Sequence, residues 1–510
     1  MGPDEGPVVR EDRCVRKRVV LSIDIGTTGV KVSFVDLNGY VECSAYREYP
    51  ILSESSTTAE EEPSAWWNGI VGGVKEIRER CGSNYSVEAI SLCGQMHTHV
   101  YLDKDDKPLR RAITWLDQRS ASVISEWEEK GIRESIFDIT WVLPTPTYTL
   151  PQVCWVKENE PEVFEKTKSI LVAKDYIKFL LTGEKLTDPS DASGIGAFDI
   201  RLSKWNEDVF RMVGVSKGLF PEVAPSTSVI GKVKPSVAEE LGLPDGVPVV
   251  NGGADHSVAE IGAGMLHRGD VVSVLGTAGV VAACSSEAIK DRRVVCWRYP
   301  IEGYWDILGI TQTAASSLAW FRNAFDPDAP SDIFERYTEL AGKVEEGSGG
   351  LIFLPYLMGE RTPHWDSDAK GVFFGVKMIH EKPHFVRAIM EGVAYSIKDC
   401  VDVMEQKLGN LGDIRLIGGG SKSSVWREVF ANVLGKRLLV PEVQDASAIG
   451  NLILAGMSMG FVKGVEDAAS LVRYQMEVFP EEDKTRLYRK LFGLYRQIYE
   501  TTKDIMHEIP

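Results

Sequence analysis

Two short segments, 250 positions apart, share one pattern. Ile25-Gly26-Thr27-Thr28-Gly29-Val30 aligns with Leu275-Gly276-Thr277-Ala278-Gly279-Val280. β-rich runs flank each, Val19 to Ile25 and Val30 to Val35 at the first, Val271 to Leu275 and Val280 to Cys284 at the second. Each segment therefore predicts a strand, a tight glycine turn and a returning strand. Arrays of stacked repeats recur every roughly 20–50 residues. A repeat at half the chain instead points to two related domains. The 510 residues leave room for both. The expected division is a loose extension at 1–18, domains at 19–265 and 266–462, and a helical tail at 463–510.

The remaining pattern is mixed α/β. Helices are expected at Pro63 to Arg80, Pro383 to Lys407 and Ser424 to Leu434, with strands at Ala89 to Cys93, Val247 to Asn251 and Ile414 to Ile417. With 74 acidic against 57 basic residues the net charge is −17, which opposes broad nucleic-acid binding and an anionic membrane surface. An anion held in a cleft by backbone N–H groups remains compatible. No window carries the apolar run of a spanning helix, and the first 18 residues lack the apolar core of a secretory signal. The eight cysteines form no C-x-x-C, so reduced, unpaired thiols in a cytoplasmic protein are expected. No His/Cys spacing for structural zinc occurs.

Several motifs could carry chemistry. In the first hairpin, Gly26 and Gly29 permit a turn with outward N–H groups, Thr27 and Thr28 add hydroxyls, and Lys31 adds charge. Asp24 ends an apolar strand, where an acid needs a cation or donor. It is a candidate for Mg²⁺ through water, or a plain turn cap. The second hairpin has Val274 at the matching position. Gly418-Gly419-Gly420 joins a strand to the helix at Ser424, a junction that lets a ligand approach the backbone. A dinucleotide fingerprint and a P-loop are both absent. Asp255 follows Asn251-Gly-Gly-Ala and reads as a general base or as a helix cap. Gln95, Met96, His97, Trp115, Asp117 and Arg119 combine hydrogen-bonding groups with an apolar face, as a polyol site requires. Taken singly, His97 reads better as a satisfied structural histidine and Trp115 as a core tryptophan.

Together these segments resemble the FGGY carbohydrate kinases, in order, from about residue 19 to 460. Gly359-Glu-Arg-Thr-Pro-His364, continued to Glu391-Gly392, resembles a family signature, and Glu442 to Gly460 its closing segment. The resemblance implies two ribonuclease-H-like domains of the actin, hexokinase and Hsp70 type around a cleft. It implies ATP and Mg²⁺ as cofactors, and Asp255 as catalytic base. Gln95, Met96, His97, Trp115 and Asp117 would meet the sugar. Thr27, Thr28, Lys31, Gly276, Thr277, Ala315, Gly419, Gly420 and Ser424 would meet ATP, and Asp24 the metal. The Gln95-Met96-His97 run is similar to that of family members acting on D-xylulose, and glycerol kinases differ there.

Thr98, Ala254 and His256 depart from the family pattern beside the sugar pocket, and Ala278 departs in the second turn. Another ketose such as ribulose, a polyol, or a sugar acid such as gluconate therefore stays open, as does a non-catalytic sugar sensor. A chaperone would need a further peptide-binding domain, and a filament protein would not need Asp255 beside Gln-Met-His. The implied partners are a small sugar and ATP, without nucleic acid or membrane, and a homodimer is left open.

Overall fold

The structure, a computed structural model, describes residues 16–82, 84–442 and 445–509. Most of the expected N-terminal extension, residues 1–15, and Cys14 with it, lies outside the described residues. Lys17 and Arg18 already belong to the first strand.

The first sheet contains β1 (Lys17–Ile25), β2 (Gly29–Asp36), β3 (Val41–Glu48), β4 (Tyr85–Gly94), β5 (Val229–Lys232) and β6 (Pro248–Ala254), in the order β5-β6-β4-β1-β2-β3. β1, β2 and β3 form an antiparallel meander, β4 runs parallel to β1, and β6 parallel to β4. The second sheet contains β7 (Val271–Leu275), β8 (Gly279–Ser285), β9 (Val295–Arg298), β10 (Trp305–Thr311), β11 (Ile414–Ile417), β12 (Leu438–Pro441) and β13 (Tyr474–Val478). Its order is β9-β10-β8-β7-β11-β12-β13. The kernel repeats: β7, β8 and β10 are antiparallel neighbours, β11 runs parallel to β7, and β12 parallel to β11. The two glycine turns occupy the same place in the two sheets, as the sequence repeat predicts.

The helices that position the cleft are α1 (Pro63–Cys81), α2 (Asp255–Ala263), α3 (Ala315–Phe325), α4 (Lys382–Leu408), α5 (Ser424–Leu434), α6 (Ala446–Met459) and α7 (Glu482–Glu508). α1 covers β2 and β3 with Trp66, Ile70, Val74 and Ile77, spaced to fill one face. Gly69 and Gly73 bring it close, since a Cβ on either would meet a Val30 or Val32 methyl at 2.6 Å.

Two expectations need correction. The C-terminal segment is not wholly helical. Tyr474–Val478 forms β13, antiparallel to β12 on the second sheet. α7 then docks on α4 through buried Tyr488 and Tyr495, with Tyr488 donating to Glu391 at 2.8 Å. The cysteines are not all unpaired either. Cys43 on β3 and Cys81 at the end of α1 form a disulfide, with Cα atoms 6.5 Å apart. That pairing arises from α1 packing over β3 and joins residues 38 apart, so local spacing could not show it. Cys93, Cys154, Cys284, Cys296 and Cys400 are free and buried.

α2 and α6 cross at a contact only glycine allows. A Cβ on Gly262 would lie 1.8 Å from the Ala446 carbonyl oxygen, and one on Gly450 1.9 Å from that of Val258. Backbone cannot yield as a side-chain tip can, so the crossing must open. Gly262→Ala and Gly450→Ala should therefore each cost at least about 1–3 kcal/mol. The expected result is a clearly lower unfolding temperature by calorimetry. Wild-type stability in both would contradict the crossing.

Candidate active site

The two glycine turns leave backbone donors without partners among the described residues. In the first, Gly26 N–H closes onto the Gly29 carbonyl at 3.0 Å. The N–H groups of Thr27 and Thr28 donate to no acceptor among the described residues, and the same holds for Thr277 and Ala278 in the second turn. The second turn is also clamped. N–H groups of Ala315 and Ala314 donate to the Gly276 and Thr277 carbonyls, both at 2.9 Å. With its carbonyls occupied, that turn presents donors outward. Gly418, at φ +91°, and Gly420 pack directly on Leu275 at the end of β7, while nothing crowds a Cβ at Gly419. Gly276, Thr277, Ala315, Gly419 and Gly420 therefore gather at one end of the second sheet. Ser424 opens α5, one residue after the Ser423 cap.

A cavity of about 520 Å³ opens between the domains. Thr27, Met96, His97, Trp115, Tyr148 and Asp255 line it from the first domain, and Trp297, Gln312, Glu360 and Arg361 from the second. Asp255 reaches it because β6 passes very close to β4. Gly252, at φ +72°, would place a Cβ 1.8 Å from the Leu92 carbonyl oxygen. Below that strand a buried ionic cluster fixes the loop. Lys174 Nζ lies 2.9 Å from Asp175 and Asp188 and 3.2 Å from Asp191, and it donates to the Asn251 carbonyl at 3.3 Å. Losing one partner of such a cluster typically costs about 3–5 kcal/mol. Asp255 is the first residue of α2, and Ala254, not Asp255, occupies the cap position.

His97 holds a left-handed backbone, φ +66°, that favours glycine. Its ring stacks on Tyr148 at 4.7 Å, and Nδ1–H donates to the Gly194 carbonyl at 2.7 Å. Burial pushes its pKa down to about 4, so at neutral pH Nε2 keeps a lone pair for a hydroxyl donor. Met96 lies beside it, and Trp115 Nε1 donates to Thr27 Oγ1 at 2.9 Å, tying this wall of the cavity to the first glycine turn.

Three candidates are placed differently from expectation. Gln95 is 1% exposed and its amide serves the core, donating to Glu61 at 2.8 Å and accepting from Thr98 at 3.1 Å. Asp117 is fully buried, accepts from the Ala59 N–H at 2.7 Å and pairs with Arg119. Both stand behind the cavity wall and do not line it. Lys31 is engaged by Asp445 of α6 at 2.8 Å and is not a free charge beside the turn. Thr28 Oγ1 is shared with the Tyr46 hydroxyl at 3.0 Å.

The sequence reading missed Tyr148, Trp297, Gln312, Glu360, Arg361 and Asp445. Glu360 and Arg361 lay inside a recognised motif without an assigned role. Trp297 lies within 5.3–6.3 Å of the rings of His97, Tyr148 and His256, a cluster visible only after folding.

Fold and site together define a two-domain phosphotransferase whose cleft brings a glycine turn and a carboxylate to one cavity. The FGGY family of carbohydrate kinases, N-terminal domain, matches residues 19–262, and its C-terminal domain matches 271–459. The chain belongs to the FGGY family of carbohydrate kinases. It is 33% identical over 492 residues to the xylulose kinase of Bacillus subtilis, covering 96% of this chain and 98% of that one. The ligand-bound xylulose kinase of Lactobacillus acidophilus superposes with a TM-score of 0.91 at 25% identity, covering 97% of this chain and all of that one. The gluconate kinase of the same organism gives 0.90 at 26%, with 95% and 98% covered. Among the described residues no helix is long and apolar enough to cross a membrane.

Burial, then the nearby carboxylates of Asp255 and Asp445, push the Asp24 pKa up to about 7. Folding thus holds a proton that the unfolded chain releases near pH 4, and stability falls as pH rises through about 7. Asp24→Asn should therefore stabilise the protein more at pH 8 than at pH 5, measured by thermal unfolding in EDTA. An equal gain at both pH values would contradict the raised pKa.

Proposed function

We propose that this kinase transfers the γ-phosphoryl group of ATP to a terminal hydroxyl of an open-chain sugar, with D-xylulose phosphorylated at O5. One observation carries the reading: Thr27 of the first phosphate turn and Asp255 line the same cavity. A terminal hydroxyl beside Asp255 would then lie next to a phosphate held at the turn. Loose phosphoryl transfer needs mainly positioning and charge neutralisation. Unpaired N–H groups of Thr27, Thr28, Thr277 and Ala278 would hold phosphate oxygens. Gly276, Gly419, Gly420, Ala315 and Ser424 would border the nucleotide. Met96, His97 and Trp115 would orient the sugar, with His97 Nε2 accepting from a hydroxyl. Asp255 would align the attacking hydroxyl and take its proton.

The residues fit a divalent cation at Asp24. The neighbouring carboxylates of Asp255 and Asp445 disfavour its ionised form, and a cation would relieve that repulsion. Mg²⁺ bound there would neutralise charge on the transferring phosphate.

Arg361 favours a second reading. Its guanidinium lines the cavity yet makes no ion pair or hydrogen bond among the described residues. Burial pulls its pKa down, so a ligand carboxylate would be a welcome partner. A sugar acid such as gluconate is the acceptor that fits.

ADP production with Mg²⁺ across ketoses, polyols and gluconate separates these readings. D-xylulose is expected to give the highest kcat/KM. A clear preference for gluconate would install the second reading, and silence across the panel would remove both. Asp255→Asn should lower kcat about 10²–10⁴-fold with little change in the KM for ATP. Turnover near wild type would end its assignment as base.

A further inference from the structure

Behind Asp255 lies a second set of ionisable side chains that phosphoryl transfer, as derived above, leaves unused. His256 follows Asp255 on α2 and lines the cavity. Its Nε2 lies 3.2 Å from Asp306 Oδ2 and 3.0 Å from Ser257 Oγ. Asp306 is fully buried on β10, so this contact joins the two domains. Glu260, one turn along α2, is 1% exposed, and neither carboxylate oxygen has a hydrogen-bond partner; Asp306 Oδ1 has none either. On the other side, His256 Nδ1 is 3.8 Å from Asp255 Oδ1, and the His256 backbone N–H donates to that oxygen at 2.7 Å. The ionisable groups facing His256 are thus Asp255 and Glu260 on α2, Asp306 on β10, and His97 from the sugar-side turn.

Two carboxyls buried together do not both ionise cheaply. Burial, and then the neighbouring Asp306 carboxylate, hold the Glu260 pKa well above the ordinary carboxylate range. The Asp306 side chain faces the imidazole. Burial opposes a charged imidazole, yet the flanking Asp255 and Asp306 carboxylates prevail and raise its pKa. A protonated ring donates from both nitrogens, to Asp306 at one end and toward Asp255 at the other.

We propose that His256 is a positioning residue for Asp255, anchored to Asp306 in the second domain, so that the aim of the catalytic carboxylate depends on how the domains meet. The inference rests on Asp255 being the base. A neighbouring donor 3.8 Å away holds the carboxylate loosely, and a small closing movement brings it to hydrogen-bond distance. Removing it costs orientation at the reacting hydroxyl and leaves the nucleotide contacts alone.

The test uses the full-length protein and the acceptor that gives most ADP. His256→Ala should lower kcat at least tenfold, with KM for ATP within about twofold. The acid limb of kcat/KM for the sugar should move to higher pH, because Asp255 loses a cationic neighbour. Asp306→Asn should move it the same way by a smaller amount. ¹⁵N imidazole NMR provides a readout independent of turnover. His256 should carry protons on both nitrogens at pH 7.5 in the wild type and lose one near neutral pH in Asp306→Asn. An unchanged kcat and pH profile in His256→Ala would overturn the proposal. So would a neutral His256 at pH 7.5, or one tightly held transition metal per chain that Glu260→Gln releases. If the wild type phosphorylates no sugar, the functional reading fails, while the NMR comparison still decides whether Asp306 holds the ring.

Discussion

The crossing of α2 and α6 sets the geometry on which the rest depends. α2 follows β6 of the first sheet, and α6 follows β12 of the second. At Gly262 and Gly450 their backbones touch, with no side chain between them. α6 then packs against the first sheet, where Asn451 donates to Ser22 at 2.9 Å and accepts from Ser91 at 3.0 Å. The helix that continues the second domain is thereby anchored in the first. Asp255 begins α2, and Asp445 caps α6 by accepting from the Ala448 N–H. The two helices place both carboxylates beside Asp24. A looser crossing would separate the acids, relieve their repulsion and lose the site.

Backbone features were legible in the sequence because they depend on local conformation. The two Gly-Thr turns, the parallel strands after each meander and the helix at Ser424 follow from turn residues and periodicity. The destination of individual side chains was less legible. Gln95, Met96 and His97 are consecutive, yet Gln95 faces the core and the other two the cavity. What decides this is Glu61, a buried acceptor 34 residues earlier that takes the Gln95 amide. Asp117 is similarly claimed by the Ala59 N–H and Arg119, and Lys31 by Asp445. Each partner arrives from a distant segment, so a local motif could name the residue type without naming its task. β13 was hidden for the same reason: a short run becomes a strand because β12 offers it an edge.

The first domain supports its site with costly groups. Lys174 and its three aspartates sit without solvent beneath Asn251 on β6, and Asp24 carries a carboxyl displaced to about 7. Neither arrangement is the most stable use of those positions, since buried ion pairs seldom outperform packed apolar side chains. Both make sense as rigidity and charge placed where a reaction needs them. The second domain shows the contrast. Its turn, with Val274 where the first has Asp24, is held by backbone bonds from α3 and by glycines packed on Leu275.

This asymmetry gives the cleft a direction. Two copies of one sheet supply two anion-binding turns, and symmetry alone would make them interchangeable. An acid at position 274 would add a charge beside the unpaired donors of the second turn and would oppose any anion approaching them. With Val274 in place of an acid, the second turn is a set of neutral donors. Unpaired N–H donors then come from both turns, while Asp255 stands on the first domain's side of the cavity. That side also contributes His97 and Trp115 to the cavity wall. The separation of roles follows from which copy of the repeat kept the acid and from the glycine crossing that brings Asp255 up beside it.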